Sequence, residues 1–156
     1  MLFSPRHASA HETLRERIRS AQAITPDLMS DVIDASCVRL PCLNRSGIVG
    51  ERIARLRQSS AWIDLCLTLI SAELPGWTLR RLVCDDGEWH CALSNSPHLP
   101  VDLDDTVDAN HHDLALALLL AFVTARRDAA DIARESATAP RCEAAAAYVV
   151  CCDNFA

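Results

Sequence analysis

The stretch from Trp77 to Ser94 reads WTLRRLVCDDGEWHCALS and predicts a β-hairpin. Apolar and polar residues alternate before and after Asp86-Gly87. An Asp-Gly pair between two alternating segments is the strongest short-range signal for a hairpin with a two-residue turn. We therefore expect an antiparallel strand pair here, with helices packed against one of its faces.

The register that this turn implies assigns each strand residue to a face of the hairpin, because successive strand residues point to opposite sides. One face carries Leu82, Cys84, Trp89, Cys91 and Leu93. We expect that apolar face to meet helices, and the face with Val83, His90 and Ala92 to be more exposed. Arg80 falls on the apolar face in this register, which indicates that a bulge or a longer turn shifts the register by one residue near it.

Two apolar helices flank the hairpin in the sequence. The first is predicted over Ala61 to Leu74, with Ser59-Ser60 offering an N-cap. Its narrow polar stripe predicts a mostly buried helix. The members of that stripe are Asp64, Thr68 and Ser71.

The second apolar helix follows an acidic loop. Asn110 is expected to cap this helix and Asp113 to be its third residue. Arg126 and Arg127 are expected in its last turn, where they match the helix dipole. Because the helix is apolar nearly all round, it is predicted to be central to the core or to an oligomer interface.

The first sixty residues predict three helices. His11 to Ala23 has a narrow apolar stripe, and Thr25-Pro26 supplies an N-cap and a proline at the first helical position of the next helix. The segment from Cys37 to Arg45 is predicted to be a loop, and Gly47 to Gln58 a third helix.

These patterns together predict an α+β fold. Its core is a helix, a β-hairpin and a helix (α-β-β-α) over residues 61–127. Residues 1–60 are predicted to form a helical, partly mobile N-terminal extension. Residues 128–156 form an alanine-rich C-terminal segment whose order the pattern leaves open.

Charge is unevenly distributed along the chain. The net charge is −6, all fifteen basic residues are arginine, and residues 1–60 hold nine Arg against six acids. Residues 61–156 hold six Arg against fifteen acids, which indicates a basic arm and an acidic body. A nucleic-acid-binding regulator that uses the basic N-terminal helices is one alternative function, and it requires Arg52, Arg55 and Arg57 on one exposed surface.

The eight cysteines are expected to be free thiols in a reducing compartment rather than a disulfide framework. The sequence from Met1 to His7 has no apolar signal segment, so we expect a cytoplasmic protein with free thiols. The longest apolar run, Leu114 to Val123, is too short to span a bilayer, so no membrane partner is expected.

A metal site is not predicted, although the chain has many metal-ligating residue types. These are Cys37, Cys42, Cys84, His90, Cys91, His98, His111, His112, Cys151 and Cys152. Structural zinc sites have paired, closely spaced cysteines, and this chain has no CxxC pair. A thiol- or zinc-dependent protein stays a second alternative. If a metal binds, His90 and either Cys84 or Cys91 across the hairpin are the first ligands to consider.

The acidic loop matches the spacing of a calcium-binding EF-hand only in part. The matching residues are Asp102, Asp104, Thr106, Asp108, Asn110 and Asp113. Val107 lies where the EF-hand loop needs glycine, so we interpret the segment as a solvated loop that ends in a helix cap. No nucleophile elbow or local Cys/His signature is present, and we assign no catalytic residue, no cofactor and no metal ligand.

Residues 61–126 resemble the α-β-β-α pattern of small phage-associated proteins described as ABA-sandwich domains. The resemblance is carried by Gly76-Trp77-Thr78-Leu79, by Gly87-Glu88-Trp89-His90-Cys91 and by Asp113 to Phe122. The chain departs from that family in its long acidic loop, its helical first sixty residues and its cysteines. The resemblance implies architecture only, because the family has no settled activity to carry over.

Self-association is the leading functional hypothesis from the sequence. A two-stranded hairpin alone is marginally stable, and its exposed edge is a template for pairing with another strand. We therefore predict a small interaction or accessory protein, not an enzyme, that forms a homo-oligomer or binds a protein partner through edge strands or through its leucine- and alanine-rich helix.

Overall fold

Within residues 6–43, 47–100, 103–104 and 106–138, the part of the chain that the computed structural model describes, six helices accompany one three-stranded antiparallel sheet. The α+β prediction is confirmed. The helices are α1 (Arg6–Ser20), α2 (Pro26–Ser36), α3 (Leu40–Leu43), α4 (Ile48–Gln58), α5 (Trp62–Glu73) and α6 (Leu114–Thr138). The strands are β1 (Thr78–Asp85), β2 (Glu88–Ser94) and β3 (Thr106–His111), in the spatial order β1-β2-β3.

The hairpin turn is the one that the sequence predicts. Asp86-Gly87 has φ angles of 47° and 81°, which are the two positive values that a type I′ turn requires. Leu82 lies opposite Cys91 and Cys84 opposite Trp89, so the predicted register near the turn is confirmed.

A β-bulge accounts for the odd position of Arg80. The pairing of β1 with β2 shifts between Leu79 and Arg81, so Arg80 is the extra residue. Its guanidinium forms an ion pair with Asp104 and donates to the carbonyl oxygen of Leu99 at 3.0 Å. The predicted shift is therefore confirmed, and the arginine avoids the apolar core.

The predicted acidic loop contains a third strand, which makes the core α-β-β-β-α. Val107 and Ala109 of β3 are buried and alternate with exposed Asp108 and Asn110. This is the period of a strand with one covered face. The prediction of a loop over these residues was wrong, because their polar members form one face of a strand.

The start of α6 also differs from the prediction. Asn110 lies in β3, and its Nδ2 donates to Glu88 Oε2 at 2.9 Å. The N-cap is Asp113, whose Oδ1 accepts a hydrogen bond from the amide of Leu116 at 2.9 Å. Asp113 therefore stands before the first turn rather than third in the helix.

Helix α6 forms the centre of the core. Every residue from Ala115 to Val123 is buried, and the helix packs against β2, β3, α5 and α1. The predicted central position is confirmed. The predicted end near Arg126 and Arg127 was wrong, because the helix continues to Thr138. Residues 139–156, most of the predicted C-terminal segment, lie outside the described residues.

The N-terminal helices contribute to the same core. Leu14 and Ile18 of α1 and Met29 of α2 are buried in one hydrophobic cluster with α6. Thr25 caps α2 as predicted, since its Oγ1 accepts from the amide of Leu28 at 3.2 Å. At the other end of α2, Arg126 Nε donates to the carbonyl oxygen of Ser36 at 2.8 Å. This second hydrogen bond joins the C-terminal end of α2 to α6.

A buried carboxylate holds the segment between α2 and α4. Glu73, at the end of α5, is buried and accepts hydrogen bonds from the amides of Val38, Arg39 and Leu40 at 2.7 to 3.0 Å. These amides begin the short helix α3, which lies where a loop was predicted. Nothing in the sequence pattern signalled this contact, because Glu73 reads as an ordinary residue at a helix end.

Helix α5 is less buried than predicted. Ile63 and Leu67 are exposed on one side of it. The residue at the N-cap position is Ala61, which makes no side-chain cap bond. The predicted Ser59-Ser60 cap was wrong, since the Ser59 hydroxyl donates to the carbonyl oxygens of Arg55 and Leu56 instead.

Candidate functional site at the free edge of the sheet

Strand β1 is exposed along almost its whole length. It is the first strand in the order β1-β2-β3, so no strand covers its outer edge within the described residues. Arg80 is half-buried and every other residue of β1 is exposed, Val83 most among the apolar ones at 47 %. The prediction that the apolar hairpin face meets helices holds for Cys91 and Leu93 of β2 but fails for β1.

The turn determines which backbone groups of β1 face solvent. A β-turn joins the carbonyl of its first residue to the amide of its fourth, so Asp85 and Glu88 form a hydrogen-bonded pair. Hydrogen-bonded pairs alternate along an antiparallel ladder, which places Val83 in the next such pair. The amide and carbonyl groups of Leu82 and Cys84 therefore point away from β2, toward the free edge.

Three alternating side chains of β1 lie on the sheet face that α6 does not cover. They are Arg81, Val83 and Asp85, which with His90 of β2 line a shallow cleft of about 210 Å³. Arg81 has a distant intrachain partner, Asp108 of β3, at 4.0 Å. The free edge thus carries a positive, an apolar and a negative side chain at equal spacing.

Ala92 lies on this same sheet face but is buried, at variance with the prediction that its face is exposed. It stands between Arg81 of β1 and Asp108 of β3 in the strand register. The two longer side chains of that rung approach each other across it, which covers a methyl group.

A polar cluster fixes the bulged end of β1. Asp104 is buried, accepts a hydrogen bond from the hydroxyl of Ser94 at 2.8 Å and forms an ion pair with Arg80. The Ser94 hydrogen bond and then the Arg80 guanidinium hold the pKa of the Asp104 carboxyl below its usual value, against the opposing effect of burial. This cluster keeps Arg80 turned away from the free edge. The part of the edge without a bulge is therefore residues 81–85.

Burial suppresses the reactivity of three of the five thiols among the described residues. Burial raises the pKa of Cys37, Cys66 and Cys91 to about 12, so these thiols stay protonated at neutral pH. Cys42 and Cys84 are exposed, and Cys151 and Cys152 lie outside the described residues.

The cysteine and histidine residues that could ligate a metal do not cluster among the described residues. Within the described ranges, no group of three or more His, Cys, Asp or Glu side chains could hold a metal ion. His90 is paired with Val83 across the hairpin, on the opposite face from buried Cys91. Of the residues that match the EF-hand spacing, Asp104 is hydrogen-bonded to Ser94 and ion-paired with Arg80, and Asp102 lies outside the described residues.

The three arginines of α4 do not share one surface. Arg57 sits about 140° around the helix from Arg52, and it donates to Ser30 Oγ of α2 at 2.7 Å. Arg52 lines a groove on the other side of α4, beside α5. The single basic surface that a nucleic-acid function requires is therefore not formed by Arg52, Arg55 and Arg57.

Comparisons with protein-family models, with curated proteins and with solved structures gave no match for this chain. The resemblance to ABA-sandwich proteins thus stays a prediction about architecture. In the part of the chain that is described, no helix has the length and apolar character to cross a membrane.

Proposed function

We propose that the protein is a non-catalytic interaction protein whose partner is a second copy of itself, bound through antiparallel pairing of the two β1 edges. The observation that carries this proposal is the free edge of β1, with its unpaired backbone groups and its Arg81, Val83 and Asp85 side chains. Such an edge pairs readily with another strand.

The charges of β1 select one register. In a two-fold arrangement centred on Val83, Val83 faces its own copy, and Arg81 faces the partner copy's residue 85. The symmetry repeats that opposite-charge pair on the other side of the axis. Leu82 then lies opposite residue 84 of the other copy, and these are the residues whose backbone groups point outward. The register therefore forms about four backbone hydrogen bonds and two complementary charge pairs.

Neighbouring registers lack this complementarity. Centring the pair on Leu82 would place Arg81 opposite Val83. Centring it on Cys84 would place Val83 opposite Asp85. Both arrangements use the outward backbone groups, but they leave the charges without opposite partners across the strands. Only the register centred on Val83 satisfies backbone and side chains together.

The resulting dimer has a continuous six-stranded sheet, with the two α6 helices on its covered face. Joining two three-stranded sheets at β1 removes one exposed edge from each copy. It also covers Val83, one of the exposed large apolar residues.

Sedimentation velocity of the reduced protein over a range of concentrations tests this proposal. We expect a reversible monomer–dimer equilibrium. Amide hydrogen exchange gives the site: the amides of Leu82 and Cys84 should become protected as the concentration rises, whereas the amide of Val83 is protected at every concentration by β2. A strictly monomeric protein at tens of micromolar would remove the support for the proposal, and so would a dimer with unchanged exchange at Leu82 and Cys84.

A further inference from the structure

A polar cavity of about 300 Å³ lies at the opposite edge of the sheet from β1, between α1, β3 and α6. It is separate from the proposed dimer contact and stays open when two β1 strands pair. The polar side chains around it include Arg15, Arg19, Asn110, His111, His112 and Thr124.

His111 has a buried N–H donor without an acceptor among the described residues. The residue is 5 % exposed, and its Nδ1 accepts a hydrogen bond from the amide of Asp113 at 3.0 Å. An imidazole whose Nδ1 accepts carries its proton on Nε2. That Nε2 is buried and has no hydrogen-bond partner in the described part of the chain.

Arg15 presents a second donor of the same kind. Its side chain is 17 % exposed, and its Nη1 is paired with Glu12 Oε2 at 3.2 Å. Its Nε is buried, with no acceptor among the described residues. Buried N–H groups of folded proteins nearly always have an acceptor, so two such groups around one cavity indicate an acceptor that comes from outside the chain.

Each of the two acids that line the cavity already accepts a hydrogen bond from a neighbouring side chain. Glu88 Oε2 accepts from Asn110 Nδ2 at 2.9 Å, and Asp108 Oδ2 accepts from Thr106 Oγ1 at 3.2 Å. Arg19, whose side chain is 43 % exposed, also lines the cavity, and its Nη1 lies 3.7 Å from Glu12 Oε1 and 3.6 Å from Glu16 Oε2. Among the described residues that line the cavity, the buried polar groups without a hydrogen-bond partner are therefore both donors.

We infer that this cavity binds a small molecule through a carboxylate or phosphate group, an oxygen of which accepts hydrogen bonds from His111 Nε2 and Arg15 Nε. Anionic oxygen is the acceptor that guanidinium groups bind most strongly. A metal cation fits poorly, because the ligating nitrogen of His111 would have to lose its proton beside an arginine. The cavity is at the lower end of the size range of small-molecule sites, which suits a compact ligand.

The test is a nitrogen-15 NMR titration of the full-length protein with inorganic phosphate and, separately, with acetate, at constant ionic strength set with chloride. We expect saturable shifts of the His111 Nε2 and Arg15 Nε signals. Tighter binding of phosphate would assign a phosphoryl ligand, and tighter binding of acetate a carboxylate. The absence of a saturable response to either probe in the unaltered protein would overturn the inference.

Variants distinguish a specific binding site from general electrostatic attraction of anions. His111→Asn keeps an acceptor for the amide of Asp113 but removes the Nε2 donor, and Arg15→Met removes the other donor, because methionine has no N–H group. Each should weaken binding about tenfold, the effect expected for one charge-assisted hydrogen bond. Arg17→Met is the matched control, because Arg17 lies on the same helix and pairs with Asp31 away from the cavity.

Amide dispersion in the same spectra reports whether each variant is folded, and Arg15→Met keeps the test informative if His111→Asn unfolds. Equal weakening by Arg17→Met and Arg15→Met would overturn the inference, because it would mean that net charge alone attracts the anion.

Discussion

Reversing the charges of the β1 edge tests both the existence and the register of the proposed dimer. In Arg81→Asp, an acid faces Asp85 of the other copy, and in Asp85→Arg a base faces Arg81. Each single variant should weaken the dimer, because both symmetry-related pairs then join like charges. The double variant restores opposite charges and should dimerise as the unaltered protein does.

The magnitude follows from the exposure of the two side chains. The Arg81 side chain is 61 % exposed, and Asp85 is exposed as well, so each cross-strand pair is a surface pair. Exchanging a favourable for an unfavourable surface pair changes the free energy by about 1 kcal/mol. The two-fold axis doubles this to about 2 kcal/mol, which corresponds to a roughly 30-fold increase in the dimer dissociation constant.

Sedimentation equilibrium of the four proteins at low and at high salt measures these constants. The differences should shrink at high salt, since exposed charges are screened. Asp108→Asn is the control: it removes the intrachain partner of Arg81 at 4.0 Å and leaves the β1 edge intact, so its dissociation constant should not change. If the double variant is as weak as the two single effects combined, Arg81 and Asp85 do not face each other and the register is refuted.

Substitutions at three further places, in β1, at Glu73 and at Asp104, probe features described above. Leu82→Pro removes an outward amide and should abolish dimerisation in sedimentation velocity while the monomer stays folded, whereas Val83→Pro breaks the pairing with β2 and should lower the thermal midpoint. Glu73→Leu leaves three amides without their acceptor and should reduce the free energy of unfolding by about 3 kcal/mol in urea titrations, more than Glu73→Gln, which keeps one acceptor oxygen. The pKa of Asp104 in the folded protein is below the ordinary value of an aspartate. Its carboxylate therefore stabilises the fold at a pH above the ordinary pKa, and this contribution is lost as the pH falls through the folded pKa. Asp104→Asn should make the urea midpoint depend less on pH on the acid side, and an unchanged pH dependence would contradict this.

The hairpin was predictable because its signals are local. Asp86-Gly87 specifies the turn and the alternation on either side specifies the register, so both could be read from adjacent residues. The same is true of α6, whose apolar run admits only a buried helix. Features of this kind depend on a few neighbouring side chains and not on the rest of the molecule.

Strand β3 was missed because its outward side chains are polar. Asp108 and Asn110 suggest a loop, and only the burial of Val107 and Ala109 against α6 shows the period of a strand. Aspartate and asparagine are unfavourable in strands, and tertiary packing outweighed that preference here.

The candidate sites depended on contacts between distant parts of the chain. Arg81 in the middle of β1 could have warned that its face of this strand meets solvent, since arginine is seldom fully buried. The cavity beside His111 had no such signal, because Arg15 lies about a hundred residues away in the sequence and reaches it only once α1 has packed on α6.

The central position of α6 has a consequence for the synthesis of the chain. The ribosome releases α1, α2 and α5 before the helix that covers their apolar faces. Ser36 and Arg126, which join α2 to α6, are 90 residues apart, and translation needs roughly 5 to 20 s to cover that distance. During this interval the emerging helices expose their apolar faces to water and to any chaperone that binds such surfaces. We therefore expect folding to start only after α6 has left the exit tunnel, and a nascent chain halted before residue 114 to aggregate or be degraded rather than form a stable intermediate.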